Sequence, residues 1–200
     1  MKTTMIMLCL ALISWGASAQ QDHSHMSHSA NSNSNKDSKM AAQPTTITSI
    51  KVEHSLSTTS IIDNYLALKN ALAVDDAKKA ASSGKVLYDA LGKTNFTSFP
   101  ESKQKDLKDI MDDAKENAEH ISENGDKIDH QREHFEILST DMRDLIVIVG
   151  ADRTLYQIHC PMYNNNKGGN WLNESKEVKN PLLGTKMSKC GNVIQEITVK

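Results

Sequence analysis

Between Thr59 and Val149 apolar residues recur every three or four positions in four successive blocks, each closed by a turn signal. That period belongs to amphipathic helices. Ile61, Tyr65, Leu68 and Leu72, widened by Ile62 and Leu66, predict a first helix from about Thr59 to Val74. Asp75 and Asp76 suit the start of a second, as cap and as complement to the helix dipole. It runs to Leu91 and buries Ala77, Ala80 or Ala81, Val86, Leu87 and Leu91, with Gly92 as a left-handed stop. Gly84 inside it costs about 1 kcal/mol relative to Ala and marks a close helix contact or a bend. Ser98-Phe99-Pro100-Glu101 reads as a capping box, opening a third helix that carries Leu107, Ile110, Met111, Ala114, Ala118 and Ile121 to about Glu123. After Asn124-Gly125 a fourth runs from about Lys127 to Val149 with Ile128, Gln131, Phe135, Leu138, Met142, Leu145 and Val149 on one face. Spacing near 3.5 residues and short connections predict a mainly α fold, an antiparallel up-down four-helix bundle.

Outside these blocks the pattern changes. Ile47 to Leu56 alternates in part and predicts a short strand or extended lead-in. Leu155 to Ile158 and Val193 to Val199 alternate enough to pair as strands, with Asn164 to Asn170 a turn-rich loop between them and Trp171 and Leu172 its hydrophobic anchor. The bundle is therefore expected to carry a C-terminal, loop-rich cap containing short strands.

The first residues read as a signal peptide: Lys2, an apolar core from Met5 to Ile13, and Ala17-Ser18-Ala19 as the cleavage site. The core is shorter than the ~20 residues a membrane span needs. Bulky Leu8 before Cys9 argues against lipidation. Residues 20–46 form a polar tail, expected to be disordered, and 47–200 a single domain. Without Lys2, 22 of the 23 basic residues face 25 acidic ones, moving the net charge from −2 to −3. A weakly acidic surface argues against nucleic acid as partner. Aromatic residues are only 4% of the chain, which favours an aliphatic helical core over a β-sandwich.

Four groups of residues carry candidate chemistry. His23, His25, Met26 and His28 crowd one end of the tail and offer imidazoles and a thioether to a metal. After cleavage at Ala19, His23 would be fourth in the chain, missing the amino-terminal copper motif that needs histidine third. In the cap, Cys160 and Cys190 remain the only cysteines, with Met162 and Met187 close to each and His159 adjoining the first. Two thiols and two thioethers suit Cu(I), with Ag(I) alongside. The same cysteines in an oxidising compartment equally suit a disulfide, and both readings stand. Pro161 biases Cys160 towards an extended shape, and Gly191 frees the backbone beside Cys190 for an unusual turn. His130 and His134 share a helix face four residues apart and can chelate, although hydrogen-bonded or surface histidines are commoner. His120, on the third helix, cannot be placed against them from sequence. Arg132 and Glu133 read as a solvated face or structural ion pair, as do Asp112, Asp113 and Glu116 as solvated charge.

Cys160-Pro161-Met162, Gly168-Gly169-Asn170-Trp171-Leu172, Asn180-Pro181-x-x-Gly184 and Met187-x-x-Cys190-Gly191 together resemble the signature of the domain of unknown function 3347 family. Gln131-Arg132-Glu133-His134-Phe135 and Leu138-Ser139 extend the likeness, so that it covers roughly residues 56 to 197. The resemblance implies an exported domain, one that also occurs within the periplasmic adaptor subunits of copper and silver efflux pumps. The expected function is therefore periplasmic or secreted copper binding, in sequestration or hand-over to an efflux adaptor or another periplasmic copper protein. No enzymatic activity is expected. The alternative is a disulfide-stapled interaction domain, without its own metal site, that docks on an efflux adaptor. A third reading, electron transfer, lacks any cofactor motif.

Overall fold

The computed structural model describes residues 46–200. The domain is mainly helical, with a small mixed sheet. Strand β1 (Thr48–Val52) precedes four helices, α1 (Thr59–Ala73), α2 (Ala77–Lys93), α3 (Glu101–Glu123) and α4 (Ile128–Val149). Then come β2 (Leu155–Cys160), a short helical turn α5 (Tyr163–Asn166), β3 (Gly169–Asn173), a 3-10 turn (Gly184–Met187) and β4 (Asn192–Val199). Each of the four long helices packs on its sequence neighbour, and α4 also meets β3 and β1.

The helices begin and end for local reasons. Asp76 caps α2 by accepting the Lys79 N–H at 2.9 Å, while Asp75 makes the preceding turn with φ 60°. The stop of α2 is not Gly92, which lies inside the helix. Thr94 turns extended there and ties its hydroxyl back to Ala90 O at 2.9 Å. Ser98 forms no capping box, because α3 starts two residues too late for it. Pro100 takes the cap position, and the Gln104 amide reaches back to Phe99 O at 2.8 Å.

The buried stripes follow the helical period with one exception. Val86 is 52% exposed, because α2 buries Ala80, Gly84, Leu87 and Leu91 and leaves the position before Leu87 on the outer side. Gly84 is a close contact. A Cβ built there lies 3.0 Å from Ile121 Cγ2 and 3.1 Å from Ala118 O, so α2 and α3 approach closely enough that a methyl group would push its neighbours back by a few tenths of an ångström. At the centre, Tyr65 of α1 stacks on Phe135 of α4 with ring centroids 5.2 Å apart.

The sheet order is β1-β4-β2-β3. β4 pairs antiparallel with β2 and parallel with β1, and β2 pairs antiparallel with β3. Trp171 and Leu172, expected as a loop anchor, are strand residues and fully buried. The buried Tyr65 hydroxyl joins the layers, accepting the Leu172 N–H at 2.9 Å and meeting Ser139 Oγ at 2.7 Å. Ser139 donates onward to Phe135 O, so Tyr65 is the donor to Ser139, and burial pushes its phenol well above its ordinary pKa.

Candidate functional site

The closing segment is a stapled frame. Cys160 and Cys190 form a disulfide with Cα atoms 5.5 Å apart, Cys160 fully buried and Cys190 partly so. Both sulfurs are thereby committed to one another. Met162 is 50% exposed and Met187 36%, so the two thioethers lie at the surface rather than in the core. Gly191 has φ 143°, the unusual turn expected beside Cys190. His159 precedes Cys160 on β2, and successive strand residues project to opposite faces. Its Nδ1 meets Asn170 Oδ1 at 2.9 Å, and a Cβ at Gly168 would lie 2.3 Å from its ring. It is thus held by β3 and the turn before it, on the face away from the disulfide.

The remaining motif residues build this frame. Buried Asn180 donates to Cys190 O at 2.8 Å and accepts the N–H groups of Leu182 and Leu183. Gly184 then turns with φ 56°, which brings the backbone so close to Asp75 and Arg132 that any Cβ would overlap both. Arg132 is buried, not solvated. Its guanidinium donates to Pro181 O and Leu72 O at 3.0 Å each and pairs with Asp75. Gln131 beside it bridges Ala77 O and Ile121 O.

Convergence of a different kind occurs between α3 and α4. His120, His130 and His134 each offer a ring nitrogen, and these three atoms lie within 4.8 Å of one another. The His120 and His134 rings stack at 4.4 Å, and His130 meets His134 edge-on at 4.6 Å. The positions follow from the helical repeat: His130 and His134 stand one turn apart on α4, and helix packing brings up His120. Asn117, one turn before His120 and largely buried, accepts a hydrogen bond from His134 Nδ1 at 2.9 Å. The Asn117 amide nitrogen donates to Asp113 O at 2.9 Å and faces Asp141 Oδ2 at 3.5 Å, so its carbonyl oxygen is the atom left for His134. The hydrogen therefore sits on Nδ1, and the Nε2 lone pair of His134 is free.

Carboxylates flank the group, Glu133 at 3.4 Å from His130 Nδ1 and Glu116 at 3.9 Å from His120 Nε2. Burial, and then the neighbouring His120 and His130, lower the His134 pKa, which favours the neutral ligand form. Glu133 also lines a cleft of about 690 Å³ that has Met162 on its wall. His130 and His134 thus gain a third partner that sequence left unplaced. His23, His25, Met26 and His28 lie outside the described residues, as does the expected leader. Sequence reading also missed Lys69, hidden in the apolar stripe of α1. Its buried amine donates to Asn173 Oδ1, and burial lowers its pKa to about 8.

This architecture is a helical domain closed by a small mixed sheet. Residues 61–154 match the family described as Protein of unknown function (DUF3347), and this stretch of the chain belongs to that family. The matched stretch takes in the histidine cluster and ends just before β2. No curated protein and no solved structure matches the chain. No helix among the described residues is long and apolar enough to cross a membrane.

Proposed function

We propose that the protein is an exported, periplasmic or secreted copper-binding protein that sequesters the metal or hands it to an efflux system, and that it makes and breaks no covalent bond. The observation that carries this reading is the convergence of His120, His130 and His134, three borderline-soft ligands on one helix pair. The Cys/Met set serves Cu(I) and Ag(I) in this reading only when a reductant opens the disulfide, freeing Cys160 and Cys190 to join the surface thioethers of Met162 and Met187. The tail histidines would raise the local metal concentration. An up-down antiparallel course of the four helices, favoured by their short connections, belongs to the same reading.

The test is the copper content of the full chain purified from the periplasm of copper-grown cells, after gel filtration. We expect at least one copper ion per chain. Protein that carries none, and takes up neither added Cu(II) nor Cu(I) nor Ag(I), would overturn the reading.

The disulfide itself favours a second reading, an interaction domain docking on an efflux adaptor. In that case such copper-free protein would still co-purify with an adaptor subunit.

A further inference from the structure

We propose that His120, His130 and His134 form a centre for a late first-row divalent ion, Cu(II) ahead of Zn(II), and that the centre prefers Cu(II) to Cu(I) and Ag(I). Asn117 acts as its positioning residue. This rests on the copper-binding reading and names the ion that the histidine cluster takes.

The donor set decides the ion. All three ligands are imidazoles, which suit Cu(II), Ni(II) and Zn(II), whereas Cu(I) is selected by thiolates and thioethers. The sulfur donors of Cys160 and Cys190 are tied to one another. The nearest charged groups are the carboxylates of Glu116 and Glu133, which favour a doubly charged ion over a singly charged one. Among divalent ions the general affinity order places Cu(II) above Zn(II).

The geometry is within reach of coordination. Three nitrogens around an ion at about 2.0–2.1 Å stand roughly 3.3 Å apart in a tetrahedral arrangement. The present spread of up to 4.8 Å must therefore contract, and the rings able to move are those of His120 and His130, whose side chains are 45% and 40% exposed. His134 is the fixed member. Its Nδ1–H is held by Asn117, which leaves Nε2 as the nitrogen available to an ion, and Asn117 is itself anchored at Asp113 O. Metal-bound histidines commonly donate their other nitrogen to such a partner, and losing the partner weakens affinity. The rest of the coordination shell stays open to solvent. With one ligand from α3 and two from α4, the ion would clip the two helices together.

The experiment is a Cu(II) titration of the oxidised full chain, followed by electron paramagnetic resonance, with Ag(I) as competitor. Tail histidines are controlled by a His23→Ala, His25→Ala, His28→Ala triple variant. We expect one Cu(II) per chain with nitrogen hyperfine structure in that triple variant, retained when an equal amount of Ag(I) is added. His120→Ala or His130→Ala, both at partly exposed positions, should abolish that signal without changing the helical circular dichroism. Asn117→Ala should weaken affinity roughly 10- to 100-fold and move the His134 hydrogen off Nδ1 in nitrogen NMR, which a purely structural role would not do. Copper binding that survives both histidine substitutions, or that yields to equal Ag(I), overturns this inference and leaves the copper reading standing. A chain that binds neither Cu(II) nor Ag(I) when oxidised, and takes up no Cu(I) after reduction, overturns both.

Discussion

The buried guanidinium of Arg132, on α4, pairs with the carboxylate of Asp75, in the turn between α1 and α2. The same guanidinium also holds Leu72 O and Pro181 O, so one side chain ties two helices to the closing segment. Its side chain is only 9% exposed, which makes the carbonyls it serves depend on it. Arg132→Ala should therefore destabilise the domain by about 3 kcal/mol, since it leaves buried acceptors unpaired. Arg132→Lys should recover little, because an ammonium cannot reproduce the fork of donors. Urea unfolding followed by circular dichroism checks both, and a wild-type midpoint in either variant would refute the assignment.

Opening the Cys160–Cys190 bond should cost stability through the freed loop. For 30 residues of separation the chain-entropy model gives about 3–4 kcal/mol. A Cys160→Ser, Cys190→Ser double variant compared with unreduced wild type in denaturant unfolding measures this. A thiol count on the unreduced protein should find neither cysteine free.

Gly84→Ala should destabilise, although alanine is the better helix former. The added Cβ meets Ile121 Cγ2 at 3.0 Å and the Ala118 backbone oxygen at 3.1 Å. A side chain can yield but a helix carbonyl cannot, so α2 must move off α3 at a cost of roughly 1–3 kcal/mol, more than the propensity gain of about 1 kcal/mol. A rise in Tm would show that the contact is slack.

Asp141 should make the domain less stable as pH rises through 6. Burial, then Asp113 and Asp144, raise its pKa from 3.8 to about 6. A carboxyl raised in the folded state favours folding while protonated. Its contribution is complete below about pH 4 and is lost as pH climbs through 6. Asp141→Asn should flatten the stability profile across that window and raise stability at pH 7. An unchanged slope between pH 4 and 6 would exclude Asp141 as its source.

The helical blocks were legible because their signal is local. Asp76, Asn124-Gly125 and the stripes of α3 and α4 needed no knowledge of distant chain. The sheet was legible only in part. β2 and β4 alternate over enough residues to be read, whereas the five residues of β3 are recognisable as a strand only once β2 is beside them. Arg132 could be read as a solvated face or a structural ion pair, and only the second holds, because nothing local reveals that Pro181 and Leu72 will cover it. In the candidate site, His130 and His134 share a helix face that sequence spacing dictates, but His120 joins them through the packing of α3 on α4. Conversely, His159 and Cys160 are neighbours in the chain and lie on opposite faces of their strand, so adjacency suggested a pairing that the pleat forbids.

The parallel pairing of β1 with β4 has a consequence for the order in which the domain can assemble. Thr48 is hydrogen-bonded in register opposite Gln195, and Val52 opposite Val199. Among the described strands the first thus waits for the fourth, and β4 also supplies the partner that β2 needs on its inner side. During synthesis the four helices can form as they emerge, but the sheet has no centre until the eight residues of β4 are free. A chain interrupted before residue 192 would leave β1 and β2 with open edges. The sheet is latched from its far side, and a nascent chain remains unlatched, and so threadable, until β4 has been made.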